Sequence, residues 1–150
     1  MLEHLTAPLL AVHAAATLML AGLVWFVQLV HYPLMATLRP DQLPTYAVAH
    51  AVRTGWVVVP LMLAEAATAA LIVWLRPAGV PAWSGLLGAA LLMVIWLMTG
   101  WVQVPLHRTL QAQGGSSRVE TLVASNWLRT GAWSARSVLA LLMLILAVGA

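Results

Sequence analysis

Histidines and arginines are the residues of this chain whose types and spacing could do chemistry. One histidine and one arginine recur at the same separation in a second copy of the segment. His31 and Arg53 correspond to His107 and Arg129, with the same separation in both copies (53 − 31 = 22 and 129 − 107 = 22). The other repeated positions pair Trp25 with Trp101, Leu34 with Leu110, Thr45 with Thr121, Thr54 with Thr130 and Gly55 with Gly131. Repeated apolar residues are explained by packing, but repeated ionisable residues at a fixed spacing indicate a site between two halves.

Each of four apolar segments carries one pair of polar residues. The pairs are Gln28 with His31, His50 with Arg53, Gln103 with His107, and Asn126 with Arg129. Their members lie three or four residues apart, so each pair shares one helical face. Ionisable groups within a membrane usually face the bundle interior. The pattern therefore predicts a pocket of imidazoles, amides and guanidiniums.

The chemistry expected of this pocket is ligand or metal binding. His31, His50 and His107 could supply three nitrogen ligands to a transition metal, and imidazole suits Cu, Fe and Zn. Gln28, Gln103 or Asn126 could orient those rings through hydrogen bonds. Arg53 and Arg129 add positive charge, which fits an anion, a quinone oxygen, a phenolate or a haem propionate. The alternative is that these residues are interfacial membrane anchors kept after a duplication.

Glu65 breaks the repeat, because Leu141 occupies its place in the second copy (65 + 76 = 141). A carboxylate so deep in an apolar helix is expected to be protonated, paired or coordinating. Arg136 is the expected counter-ion. A structural Glu65–Arg136 pair and a catalytic role for Glu65, as a proton relay or a metal ligand, both remain open.

Two further aromatic residues and one histidine bear on the site. Trp127 and Trp133 flank the second Arg-Thr-Gly motif and could wall a flat ligand. His13 has no counterpart in the second copy, so we expect it at the surface or the membrane interface.

Composition sets the class of protein. Of the 150 residues, 63% are hydrophobic and 7% are charged, against about 25% charged residues in soluble domains. Four apolar stretches, near 8–36, 46–75, 84–110 and 119–148, each exceed the roughly 20 residues that cross a bilayer. The chain has no cysteine, which excludes disulfides and thiol chemistry. The arginines form no continuous basic run, which argues against nucleic acid as a partner.

Arginine placement predicts the orientation of the helices. The first and third connections, with the adjacent helix ends, hold Arg39, Arg53, Arg108, Arg118 and Arg129, whereas the second holds only Arg76. The positive-inside rule then places the first and third connections in the cytoplasm and both termini outside it. We therefore expect a multi-pass membrane protein with this orientation.

The predicted fold is all-α, a single membrane domain with a four-helix bundle built from two tandem helical hairpins. The repeat halves, about 8–76 and 84–150, pair the first helix with the third and the second with the fourth. Paired helices cross in the same direction, so the halves form a parallel repeat about a pseudo-two-fold axis along the membrane normal.

Four segments carry a resemblance to known proteins: WFVQLVHYPL, AVRTGWVVVP, VQVPLHRTL and SNWLRTGAWSAR. Over most of its length the chain resembles a group of small, mostly uncharacterised bacterial four-helix membrane proteins. This resemblance implies a bacterial inner membrane as its location. The chain more distantly resembles the anthrone-oxygenase-like family. That resemblance implies oxidation of a phenolic, polycyclic or quinone-like substrate, and it assigns no catalytic residue.

Two functions from different classes follow. The first is a metal- or haem-dependent membrane oxidoreductase acting on a small hydrophobic, quinone- or phenol-like substrate. Its expected residues are His31, His50 and His107 for the metal, Glu65 for catalysis, and Arg53, Arg129, Asn126, Gln28, Gln103 and Trp127 for the substrate or an anion. The second is a non-enzymatic carrier of a small solute or proton, or an accessory membrane subunit. The expected partners are the lipid bilayer and a small hydrophobic ligand, and small residues on the third helix make a homo-oligomer conceivable.

Overall fold

The computed structural model describes residues 3–149, and they form four long helices joined by short connections. The helices are α1 (Glu3–Phe26, a π-helical turn at Val27–His31, and Tyr32–Met35), α2 (Leu43–Leu75), α3 (Ala82–Met98, a π-helical turn at Thr99–Gln103, and Val104–Gln113) and α4 (Ser116–Val148). Each helix contains a stretch long and apolar enough to cross a membrane. The predicted all-α four-helix bundle is confirmed, and the four spans support a multi-pass membrane protein.

Prolines and glycines set the helix ends. Pro44 lies in the first turn of α2, where its missing N–H is not needed. The helix ends at Leu75, because the next residue, Arg76, has a left-handed φ of 47° and a proline follows it. Gly114 and Gly115, with φ of 65° and 101°, make the tight connection before α4. We call the end of the bundle where α1 turns into α2, and α3 into α4, the hairpin end.

The helices pack in a closed ring. The first helix, α1, contacts α2 and α4, and α3 contacts the same two helices. At mid-height the core contains buried residues from all four helices, among them Leu20, Met62, Ile95 and Trp133. Many large apolar side chains point outward instead, such as Trp56 and Trp74. An outer surface of this kind is suited to lipid and unsuited to water.

A proline follows each of the two π-helical turns. The turn Val27–His31 ends two residues before Pro33, and the turn Thr99–Gln103 ends two residues before Pro105. Proline lacks an N–H and its ring clashes with the carbonyl four residues earlier. The extra residue of a π turn lets the helix pass this point without breaking.

The π turns fall at different points of the two repeat copies, because Pro33 and Pro105 are not equivalent positions (33 + 76 = 109 is Thr109). The glutamine-to-histidine spacing is three residues in the first copy and four in the second. Gln28 and Gln103 are nevertheless both buried. Both glutamines therefore reach the interior, although their spacings to the histidines differ.

Candidate functional site

Three imidazole rings from α1, α2 and α3 form one stack near the hairpin end. The ring centroids of His31 and His50 are 4.2 Å apart, and those of His50 and His107 are 5.4 Å apart. The hydroxyl of Tyr32 lies 3.1 Å from Nε2 of His107, and the ring of Tyr46 stacks against His31. The structure thus brings together the three histidines that the sequence singled out.

The stack does not present these rings as a metal site. A ligating lone pair lies in the plane of the imidazole, so ring edges must converge on a point about 2.0–2.1 Å from each nitrogen. The planes of neighbouring rings here are within 23° and 29° of each other, so ring faces meet instead. Within residues 3–149, no three His, Cys, Asp or Glu residues are placed to hold a metal ion. The predicted metal role of His31, His50 and His107 is therefore not supported by this arrangement.

A buried hydrogen-bonded chain joins α1 to α4 beside the stack. Asn126 Nδ2 donates to Gln28 Oε1 at 2.8 Å, and Arg129 Nη1 donates to Asn126 Oδ1 at 2.9 Å. Gln28 Nε2 donates in turn to the carbonyl of Val123. Arg129 is only 9% exposed. Its guanidinium is therefore fixed by the amide residues that the sequence predicted as its neighbours.

A cavity of about 380 Å³ runs from this polar cluster toward the middle of the bundle. Its polar lining lies toward the hairpin end and includes Tyr32, His50, Gln103, His107, Arg108 and Arg129. Its deeper lining is mainly apolar and includes Leu20, Val24, Val58, Met62 and Trp133. Val59 on α2 and Val104 on α3 belong to the lining and are also exposed, so the cavity opens between these helices.

Three side chains of the cavity wall carry a buried polar atom without a hydrogen-bond partner: Gln103 Oε1, His107 Nδ1 and Arg129 Nε. The orientation of the Gln103 amide is fixed, because its Nε2 donates to Ser125 Oγ, which itself donates to a carbonyl. The wall therefore offers one acceptor from Gln103, one donor from Arg129, and a ring nitrogen that can serve as either. Buried polar groups normally have partners, so this wall is suited to a polar ligand group.

Glu65 lies deeper and is fully buried in a network that joins all four helices. Its Oε1 accepts hydrogen bonds from Arg136 Nε at 2.8 Å and from Thr17 at 3.0 Å. Its Oε2 accepts from Trp133 Nε1 at 3.2 Å, and Arg136 also donates to the carbonyl of Gly88. The expected Glu65–Arg136 pair is present. Glu65 does not line the cavity. Its observed hydrogen bonds link the helices to one another.

Arg53 and Trp127 were expected at the ligand site, but neither lines the cavity. Arg53 is exposed and is not part of the cavity wall, which α2 builds from His50, Thr54 and their neighbours on another face. Trp127 lies on the outer surface, with its ring edge-on to Trp25 at 5.7 Å. Both expectations assumed that repeated or adjacent positions face the same way, whereas each helix has its own rotation about its axis.

His13 corrects a third expectation. The sequence placed it at the surface, but it is buried, and its Nδ1 lies 2.8 Å from Thr68 Oγ1 on α2. The threonine hydroxyl donates to backbone carbonyls of its own helix, so the imidazole N–H is the donor in this contact. A hydrogen bond between helices offsets the unfavourable burial of the ring.

Sequence reasoning missed Tyr32 and undervalued Trp133. Tyr32 lies four residues after Gln28, a spacing that puts both on one helical face and was available as a signal. Trp133 lies four residues after Arg129, and the guanidinium carbon of Arg129 is 5.1 Å from its ring centroid. That spacing equally predicts contact, but nothing in the sequence shows which of two neighbouring tryptophans points inward.

Comparison of the chain with protein families, curated proteins and solved structures finds no match.

Proposed function

We propose that this membrane bundle binds a small, mainly apolar molecule with a hydroxyl or carbonyl oxygen at one end, of the phenol or quinone type. The observation that carries the proposal is the division of the cavity into a polar end and an apolar depth. Ligand pockets are typically largely apolar, with a few polar groups that fix orientation, and measure about 300–1,000 Å³. A single-ring molecule fits this description.

The polar end is equipped to hold one oxygen. Arg129 Nε–H donates to a carbonyl or phenolic oxygen, and a charged donor makes a stronger hydrogen bond than a neutral one. Gln103 Oε1 accepts from a hydroxyl, and His107 Nδ1 serves either oxygen type. The ring of the ligand would then extend past Val58 toward Met62 and Trp133.

The opening between α2 and α3 favours entry from the lipid phase. The exposed rim residues Val59 and Val104 are apolar. If arginine placement sets the orientation, the hairpin end faces the cytoplasm, as the positive-inside rule predicts. A ligand would enter sideways and keep its oxygen toward that face, as amphipathic molecules do in a bilayer.

Three compounds of one shape test the proposal. Thymol carries a hydroxyl, thymoquinone carries carbonyls, and p-cymene has the same carbon skeleton without oxygen. Isothermal titration in detergent, corrected for partition into empty micelles, should show saturable binding of thymol and thymoquinone. We expect p-cymene to bind about tenfold more weakly, the equivalent of one charge-assisted hydrogen bond. Equal binding of all three compounds would contradict the assigned polar end.

Gly55 and Gly131 provide a matched pair of variants. They are repeat counterparts, and a Cβ at either would meet nothing within 4 Å. Gly55 lines the cavity, whereas Gly131 is exposed and outside it. Gly55→Leu should therefore fill part of the cavity and weaken thymol binding, while Gly131→Leu should leave binding unchanged. The same loss in both variants would contradict binding in this cavity.

Whether thymol is chemically altered by the protein distinguishes an enzyme from a carrier. Incubation of thymol with membranes containing the protein, followed by extraction and mass spectrometry, shows whether the compound is altered. An altered compound, absent with Gly55→Leu membranes, indicates an oxidoreductase of the kind that the family resemblance implies. Recovery of unaltered thymol, with saturable binding, indicates a carrier.

A transition metal or haem at His31, His50 and His107 is a second candidate. It is favoured by two buried ring nitrogens without partners, His31 Nε2 and His107 Nδ1. The rings would have to turn out of their stack before their nitrogens could converge on one metal ion. An optical spectrum and elemental analysis of gently purified protein test this candidate. Stoichiometric metal lost in the His31→Ala/His107→Ala variant supports it, and a colourless, metal-free preparation overturns it.

A further inference from the structure

Trp133 touches two polar groups that do not touch each other. One face of its ring lies against the guanidinium of Arg129 in the cavity wall, and its indole N–H donates to Glu65 at mid-bundle. We propose that Glu65 is a positioning residue for the ligand site: through Trp133, it holds Arg129 in place to bind the ligand oxygen.

The hydrogen bonds of the Glu65 carboxylate divide its two oxygens between two tasks. Oε1 receives Arg136 and Thr17, which tie α2 to α4 and α1. Oε2 receives only the Trp133 indole among the hydrogen bonds of the described residues. An ion pair with Arg136 would need one oxygen, so the second oxygen is available to fix the indole.

One hydrogen bond is enough to fix an indole ring. Tryptophan has two side-chain torsions and a single N–H donor. Trp133 is 1% exposed and packed in the central cluster, so its ring has little room. A carboxylate is a stronger acceptor than a neutral oxygen. The contact therefore selects one orientation of the ring and presents one face to the cavity.

That face supports Arg129. A guanidinium carbon 5.1 Å from the ring centroid lies within cation–π range, and the attraction is stronger where water is excluded. Asn126 holds Nη1 of the same guanidinium, which leaves Nε without a partner. With the ring below and the amide at one side, Nε–H has a defined place in the cavity wall.

The inference rests on the proposed function, and two variants that each remove one donor to the carboxylate test it. Trp133→Phe keeps an aromatic ring but removes the donor to Oε2. Thr17→Val removes a donor to Oε1 of the same carboxylate and leaves the indole bonded. We expect Trp133→Phe to weaken thymol binding about tenfold and Thr17→Val to change it by less than about twofold. Equal losses would mean that the carboxylate acts only as general support, which overturns the inference.

A double-mutant cycle tests whether Glu65 acts through Trp133. Glu65→Leu with Arg136→Leu removes both charges together, because removal of one leaves the other buried and unpaired. The joint replacement should weaken thymol binding, and addition of Trp133→Phe should then cause a smaller loss than it causes in the wild-type protein. Additive losses in log Kd would show independent action and overturn the inference.

A measurement on the ligand-free protein tests the positioning role of Glu65 independently of the proposed ligand binding. The Nε–H resonance of Arg129, assigned with Arg129→Gln, reports the position of the guanidinium over the ring. It should move when the Glu65–Arg136 pair is replaced, and it should not move in Thr17→Val. A moved resonance in protein that binds no thymol supports positioning and contradicts the ligand. Thymol binding with an unmoved resonance contradicts positioning and supports the ligand.

Discussion

The two repeat copies contribute different chemistry to one bundle, although their sequences align position by position. In the second copy Arg129 and Trp133 are buried, but their counterparts Arg53 and Val57 in the first copy are exposed. Further along α2 and α4 the exposure is reversed, and the residue of the first copy is the buried one. Glu65 of the first copy is 0% exposed, and its counterpart Leu141 is 40% exposed.

The difference is one of rotation about the helix axis. Both α2 and α4 face inward near their N-terminal ends, where His50 lines the cavity and its counterpart Asn126 is buried. Beyond this point α2 turns toward the core with the face that carries Glu65, and α4 turns inward with the face that carries Trp133. The α2 helix therefore provides imidazole and carboxylate, and α4 provides guanidinium and indole. A duplicated hairpin has become two complementary walls.

The largest expected effect is on the free energy of unfolding, which should fall far more for a substitution of Glu65 than for one of its counterpart Leu141. Glu65→Leu leaves Arg136 buried without its partner, a change that typically lowers the free energy of unfolding by about 3–5 kcal/mol. Leu141→Ala, on the lipid-facing side, should lower it by less than about 1 kcal/mol. Unfolding in mixed micelles with increasing SDS measures both values. Similar losses at the two positions would remove the distinction between the copies.

A smaller effect separates the two repeated arginines. Arg129→Gln removes the charged donor at the cavity, and we expect thymol affinity to fall at least about tenfold. Arg53→Gln changes an exposed side chain outside the cavity, so thymol affinity should stay within about twofold. Isothermal titration of both variants makes the comparison. A loss with Arg53→Gln as large as with Arg129→Gln would restore the symmetric site that the repeat predicts.

The smallest effect concerns the repeated tryptophans. Trp25 donates from its Nε1 to Ser134 Oγ at 2.9 Å, whereas Trp101 is largely exposed on the outer surface. Hydrogen bonds between membrane helices average about 0.6 kcal/mol, so Trp25→Phe should lower the free energy of unfolding by about that amount. Trp101→Phe should not lower it measurably. Stability curves in the same SDS series compare them, and a larger loss at Trp101 would contradict the assigned packing.

The fold was predictable because few structures suit so apolar a chain. Four stretches longer than a membrane span, with hardly any charge, leave helices that cross a bilayer as the main solution. The histidine cluster was predictable for a related reason, since spacings of three and four residues fix which side chains share a face. His31, His50 and His107 meet as that reasoning expected.

The orientation of the rings and the rotation of the helices were not predictable from the sequence. Spacing places His50 and His107 near each other but does not distinguish edges that converge on a metal from faces that stack. It also gave Arg53 the same role as Arg129, because an internal repeat contains no information on how far each helix is turned in the bundle. That rotation follows from packing, in which Trp133 occupies the core and Val57 does not.

The most direct test of the central claim is a thymol titration of protein labelled with ¹³C in its methionine methyl groups. Met62 lines the cavity and Met93 lies in an apolar groove elsewhere between α2 and α3, so one sample contains both reporter and control. We expect the Met62 resonance to shift to saturation and the Met93 resonance to follow only the partition of thymol into the micelle. If Met62 shows no saturable shift, or Met93 saturates in its place, the cavity is not the binding site.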